Sequence, residues 1–295
     1  MLNWNDDKTI NEILYTSLTL ATAKTGQSLI GEADQAARNA IHFCQQTPPV
    51  SGSFTQIKNA YIFKNVKHDN FGGVNAAIDG IVKITPSNPI IREDLEITLT
   101  TVEMNLTIEY LEGNEFIQGD KNTWLGRITT TTVKPHTQSR LINAQQASKI
   151  RLVNKSDQLV VYSQTKKNRF AMTTYTLTDF EFAQYSTLDQ NENKINWLST
   201  KAKLHVKHSP IGTYEVSFDN QEQPFMMDIH FPISGHLEIK DQNSSNLIRI
   251  SADENAKRFN YQVFHQGKPQ DKITKDWENF LGWESEIYSF LYSIL

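Results

Sequence analysis

The sequence predicts a mainly β protein: a large antiparallel meander or curled sheet, with an N-terminal amphipathic helical segment over residues 1–46 and a short C-terminal helix over residues 275–295. Three observations carry this. Val102, Met104, Leu106, Ile108 and Tyr110 alternate with Thr101, Glu103, Asn105, Thr107 and Glu109, the pattern of a strand with one dry and one wet face. Beyond residue 50 such runs are joined by a few polar residues, too few for a crossover, so neighbours pair antiparallel. Before residue 47 the apolar period is 3.6 instead of 2. No linker or shift of composition divides the chain, so residues 1–295 are read as one β-rich domain with the meander at 50–270.

In the helical segment, Ile10, Ile13, Leu14 and Leu18 recur at three and four. Gly26 interrupts, and a second stripe follows through Leu29, Ala33, Ala36, Ala37, Ala40, Ile41 and Cys44. Small residues there let a helix lie close on a flat apolar sheet. The helix must stop before Pro48 and Pro49, which lack an amide donor. Strands are predicted at residues 53–66, 77–85, 125–133, 149–153, 159–164, 170–182, 201–206, 213–218, 236–240, 247–251 and 259–264. NKSD (154–157), SPIG (209–212) and DQNSSN (241–246) read as turns. Ile97 and Leu99 have the opposite phase to Val102, which predicts a bulge near Thr100 and Thr101. The last segment spaces Trp277, Phe280, Leu281, Ile287, Phe290 and Leu291 helically. It is expected to dock on the sheet, the alternative being an aromatic hook for a partner. AYIFKNV with AIDGIVKIT (60–85) is echoed by TYTLTDFEF with KINWLSTKAKLHV (174–206), as a duplicated hairpin module would be.

A hydrophobic content of 38% with 15 Phe, 10 Tyr and 5 Trp builds a sizeable core, and a net charge of −4 leaves no footprint for nucleic acid. No apolar run approaches the roughly 20 residues of a spanning helix. Cys44 is the only cysteine, which excludes an intramolecular disulfide and a thiolate cluster; it reads as a buried apolar residue. Asp6 and Asp7 stand where a signal peptide would need a cationic and then an apolar region, so the expected alternatives are a cytoplasmic protein or a leader removed upstream.

No catalytic, cofactor-binding or metal-ligating residue is assigned, and no cofactor is expected. GNEFIQGDK (113–121) has the wrong spacing for a phosphate loop and reads as a turn. DQNSSN and DQNENK (189–194) lack the glycine and the terminal glutamate of a calcium loop. His205 and His208 fall on opposite sides of a strand, and Pro232 and Gly235 break the run between His230 and His236. Nucleophile-elbow and metalloprotease motifs are missing, which leaves only a hydrolase with a site dispersed over distant strands.

The order GTYEVSF (212–218), PISGHLEIKDQNSSNLIRISA (232–252), FNYQVF (259–264) and KDWENF (275–280) resembles a pattern in β-rich envelope proteins and lipoproteins of gammaproteobacteria. There a P-x-S-G-x-L-x-I-x-x-x-N-x-S hairpin precedes a strand, an Asp/Gly-rich turn and a final Trp strand. Residues 61–85 resemble their aromatic, Asn, I-D-G-x-V-x-I-T module. The resemblance implies a periplasmic, secreted or lipid-anchored protein, the anchor lying on a removed upstream segment. HQGKPQDK (265–272) replaces the Asp/Gly-rich turn, so no calcium role carries over. The expected function is a non-catalytic envelope protein whose sheet takes an amphiphilic ligand, a glycan or a surface partner. The alternatives are a structural or adhesive surface component and the dispersed-site hydrolase.

Overall fold

A computed structural model of the chain describes residues 3–22, 29–71, 73–92, 95–112, 117–135, 151–164, 172–188, 194–227, 231–253 and 257–281. Two helices lead, α1 (Asp7–Thr22) and α2 (Leu29–Gln46). Strands β1 (Ser51–Ile57), β2 (Ala60–Phe71), β3 (Val74–Pro86), β4 (Ile90–Arg92), β5 (Leu95–Glu112) and β6 (Ile117–Pro135) follow. Next come β7 (Arg151–Gln164), β8 (Thr173–Leu188), β9 (Lys194–Ser209), β10 (Gly212–Asp219), β11 (Phe225–Met227) and β12 (Pro232–Ser234). The described chain ends with β13 (His236–Asp241), β14 (Leu247–Ala252), β15 (Arg258–His265), β16 (Lys268–Asp276) and a last short helix, α3 (Trp277–Leu281).

All 16 strands join one antiparallel sheet that does not close, with β1 and β16 at its free ends. Its main path is a meander, β1-β2-β3-β5-β6-β7-β8-β9-β10-β13-β14-β15-β16. The mainly β, antiparallel fold expected from the sequence is the fold observed. Short β4 adds to β5, and β11 pairs with the first half of β9 while β10 pairs with its second half, so the sheet forks at β9.

One face of the sheet is dry and covered by the helices. Asp6 caps α1 by accepting from the Thr9 amide at 3.0 Å and the Thr9 hydroxyl at 2.9 Å, which holds its carboxyl below the ordinary aspartate value. The buried stripe of α2, including Ala33, Ala37 and Ala40, lies on β2, β5 and β6, as the alanine spacing predicts. On the other side α1 rests on β9 and touches α3. One contiguous cluster runs from Trp4 and the helices through Trp124 and Leu204 to Phe259 and Trp277. Burial and hydrogen bonding make the Tyr214 phenol, which donates to Thr16 Oγ1 at 3.5 Å, part of this core.

Bulges crease the sheet along nearly one line. In β2, Asn65 adopts φ 48° and its amide donates to Asp79 Oδ1 at 3.0 Å. Between β6 and β7 the register shifts beside Gly126, and Ser156 Oγ donates to the Arg127 carbonyl at 2.8 Å. In β8, Asp179 adopts φ 52° where the pairing with β9 slips between Thr178 and Glu181. Each extra residue bends its strand and raises the local twist.

Several expectations need correction. Residues 53–66 are two strands, not one: β1 and β2 turn at Lys58 and Asn59, with Lys58 at φ 55°. NKSD is not a turn; β7 runs through it, because Lys155 and Asp157 face solvent and ion-pair across the sheet with Glu181 and Arg127. No bulge occurs at Thr100; the β5–β6 register is continuous from Leu95 to Glu109, and Ile97 and Leu99 take the wet face where residues 95–100 are only half-buried. Within GNEFIQGDK, Ile117 onward belongs to β6, while residues 113–116 lie outside the described residues. Residues 268–276 form an edge strand, and the C-terminal helix starts at Trp277, not at 275, because Asp276 Oδ1 caps the Asn279 amide at 3.1 Å. Trp277 is fully buried against Phe259, with ring centroids 4.4 Å apart; residues 282–295 lie outside the described residues.

Candidate functional site

The strand registers stack charged side chains into a row across six strands on the wet face: Lys155, Glu181, Lys201, Asp219, Glu238 and Arg249 stand opposite one another on β7, β8, β9, β10, β13 and β14. A second row sets Ser217 between Lys203 on one side and Lys240 on the other. Both rows line a groove of about 1060 Å³. Its wall contains five cationic side chains, Lys155, Lys201, Lys203, Lys240 and Arg249, against six carboxylates, among them Asp157, Asp179 and Glu222, so the signs are interspersed and nearly balance, with the carboxylates Asp219 and Glu238 directly opposite each other.

The charges are held in place by one another. Lys155 pairs with Glu181 at 2.8 Å and Lys203 with Asp179 at 2.8 Å, while Glu238 receives Lys240 at 3.0 Å and Arg249 at 2.7 Å. The hydrogen bond and charge of Lys203 keep the Asp179 carboxyl below its ordinary value. Burial by itself would raise Glu238, but the hydrogen bonds from Lys240 and Arg249 outweigh it and hold that carboxyl low. A general acid near neutral pH requires the opposite displacement. Among the described residues Lys201, Asp219 and Glu222 carry no ion pair.

The fork at β9 builds one end of the groove. Asn220, buried to 3% exposure, fills the junction where β10 leaves β9: its Oδ1 accepts from the Thr200 amide at 2.6 Å and its Nδ2 donates to the Leu198 carbonyl at 3.3 Å. The Gln223 amide donates to the Asn220 carbonyl at 3.2 Å, closing a tight loop. This loop carries Glu222 and Gln223 out to the groove wall. The same two residues and His236 also line a shallower recess of about 580 Å³, so the two hollows meet around the loop. In that recess Tyr185 and Trp197 stand opposite in register, their rings near parallel at 14° with centroids 6.4 Å apart.

Among the described residues the histidines do not gather with other metal ligands. His205 Nδ1 is 3.9 Å from Glu215, His208 lies one residue before the end of β9 at φ 58°, His236 is in the groove, and His230 lies outside the described residues. Among the described residues no cluster of three or more His, Cys, Asp or Glu side chains suits a metal ion. In the groove the Ser217 hydroxyl accepts from Gln242 Nε2 at 2.6 Å, and among the described residues no histidine hydrogen-bonds to it to take its proton. DQNSSN is a turn stapled by Asp241, whose Oδ1 accepts from the Asn243 amide at 3.0 Å. Cys44 is buried, and burial pushes its thiol up to about 11. No helix among the described residues is long and apolar enough to cross a membrane.

The groove was not legible in the sequence because each strand supplies only one or two of its charged side chains. A signal does exist: the i, i+2 charged pairs Asp179/Glu181, Lys201/Lys203 and Glu238/Lys240 lie on strands close enough to be neighbours. Compared with family models, with curated proteins and with solved structures, the chain has no match.

Proposed function

We propose that this protein is a non-catalytic ligand-binding protein of the cell envelope, whose ligand is a glycan taken on the wet face of its sheet. The observation that carries the reading is the balanced charge row. Donors and acceptors, most of them held by ion pairs, are interspersed at strand spacing, which suits a polyhydroxylated ligand with no strong net charge and gives a polyanion no preference. An acyl chain is disfavoured, because α1 and α2 occupy the dry face that such a chain would need. Binding instead of hydrolysis is favoured by Asp179 and Glu238, both held ionised. The envelope placement rests on the resemblance of the C-terminal third.

Titration calorimetry of the full chain against soluble neutral polysaccharide fragments tests the reading. Saturable binding that weakens in Lys201→Ala is the expected result, with no release of reducing ends on long incubation. Absence of binding would sink it, and turnover would replace it with the hydrolase reading. A structural or adhesive role is the second reading, favoured by edge strand β1, SGSFTQI, which carries no charged residue to deter pairing. Concentration-dependent assembly in sedimentation velocity supports it; a monomer at every concentration removes it.

A further inference from the structure

Tyr185 and Trp197 are both half-buried, on the same face as the charge row. Trp197 Nε1 donates to Thr187 Oγ1 at 2.7 Å, which pins the indole before any ligand arrives. Along β8 and β9 the aromatic pair lies four residues from the Glu181/Lys201 step, a span of about 13 Å. The intervening pair on that side is Ala183, itself buried at 2% exposure, and the half-buried Ser199, two small side chains. An aromatic shelf, a low saddle and a charged groove therefore succeed one another along the same two strands, with Glu222, Gln223 and His236 beside the passage.

The geometry points to an extended binding site for a linear oligosaccharide of about three rings or more, with one pyranose stacked on the Trp197/Tyr185 shelf and the rest running into the groove. A pyranose face is a patch of C–H groups that packs on the electron-rich face of an aromatic ring, while its hydroxyls project sideways to polar partners. That division matches what the two ends of the site offer. A single sugar engages one end only, whereas a chain that spans the saddle joins both contacts without a second loss of translational freedom. This inference rests on the glycan reading of the groove, and names the length and lie of the ligand.

The test is titration of the full chain with neutral linear series of one to six rings, β-1,4-linked glucose, β-1,4-linked N-acetylglucosamine and α-1,4-linked glucose, followed by tryptophan fluorescence and calorimetry. Affinity is expected to climb with length up to about three rings and then level off. Trp197→Ala is expected to weaken the longer ligands about tenfold, and Trp197→Phe, which keeps a ring while sparing the fold, to recover most of that. If Lys201→Ala weakens binding but neither Trp197 variant does, or if one ring binds as well as six, the shelf is no subsite and the inference falls while the groove reading stands. If the native chain binds none of the series, both fall.

Discussion

Asn220 is the residue on which fold and site both depend, and Asn220→Ala exposes that dependence. The side chain satisfies two buried backbone groups where β10 and β11 part: the Thr200 amide at 2.6 Å and the Leu198 carbonyl at 3.3 Å. An orphaned buried N–H costs about 1–3 kcal/mol, and a carbonyl less because it has a second lone pair and here a longer bond. The sum is about 2–3 kcal/mol, or roughly 3–5 °C in Tm for a chain this long. Urea unfolding followed by tryptophan fluorescence measures it, with an unchanged m-value as the sign that the unfolded state is not the cause. Asn220→Asp sharpens the test. It keeps the acceptor for Thr200 but turns the donor into an oxygen facing the Leu198 carbonyl, in a site that disfavours charge. Its carboxyl is then raised above its unfolded value, so its stability is intact below that value, about 3.9, and is lost as pH rises through the folded value. The Asp variant should therefore lie nearest the native protein at pH 4 and furthest at pH 7. A cost below about 0.5 kcal/mol for Asn220→Ala, the level of an ordinary surface change, would refute the account of the fork.

Gly80→Ala should cost more than Gly267→Ala: both have positive φ, 127° and 78°, but a Cβ at Gly80 would sit 2.0 Å from the Asn105 carbonyl oxygen while one at Gly267 meets nothing within 4 Å. Expected losses in denaturant melts are about 3 and 1 kcal/mol, and equal losses would remove the close approach of β3 to β5. Trp277→Ala should cost about 3–5 kcal/mol, since the indole is fully buried against Phe259; a cost under 1 kcal/mol would mean that α3 is not docked. Cys44, buried and pushed up to about 11, should resist iodoacetamide at pH 8 in the native protein and react at once in urea, as read by intact mass. Burial, then Glu12, Glu32 and Tyr15, push the Tyr175 phenol up to about 12. Its contribution is therefore whole below the unfolded value near 10 and is lost as pH rises toward 12, a loss of stability that Tyr175→Phe should reduce in alkaline melts.

What could be read from the chain follows from where water meets it. Strand β5 was legible because one side is sealed by α2 and the other is wet, which forces strict alternation from Val102 to Tyr110. Both helices were legible for the same reason. Strand β16 was not: seven of its nine residues are exposed, so neither face imposes a pattern. NKSD misled because such residues are turn formers only when nothing else engages them, and here Lys155, Asp157 and Ser156 are engaged by Glu181, the Arg127 guanidinium and the Arg127 carbonyl. The hairpin between β1 and β2 was hidden because Lys58 takes a left-handed conformation that usually advertises itself with glycine. Composition could bound the chemistry of the site, but its shape required the registers of six strands.

The internal echo explains why the groove lies where it does. Aligned by residue type, AYIFKNV (60–66) and TYTLTDF (174–180) place Tyr61 on Tyr175, Phe63 on Leu177 and Asn65 on Asp179. The structure adds what sequence could not: Asn65 and Asp179 both adopt positive φ, 48° and 52°, at a slip in strand register, and Val66 and Phe180 behind them are both buried. One bulge design thus occurs twice. In β2 the opposing Asp79 accepts the bulge amide and the device is closed on itself. In β8 the opposing residue is Lys203, which reaches the Asp179 carboxylate instead and leaves an ionised lip at the groove wall. Swapping the partners tests whether that difference suffices. Lys203→Asp combined with Asp179→Asn should retain the fold, since the β2 bulge already tolerates this pairing, and should remove the lip. Ligand affinity is then expected to fall at least as far as in Lys201→Ala, with denaturant stability within about 1 kcal/mol of the native chain. If stability collapses instead, the two bulges are not equivalent and the duplication argument fails.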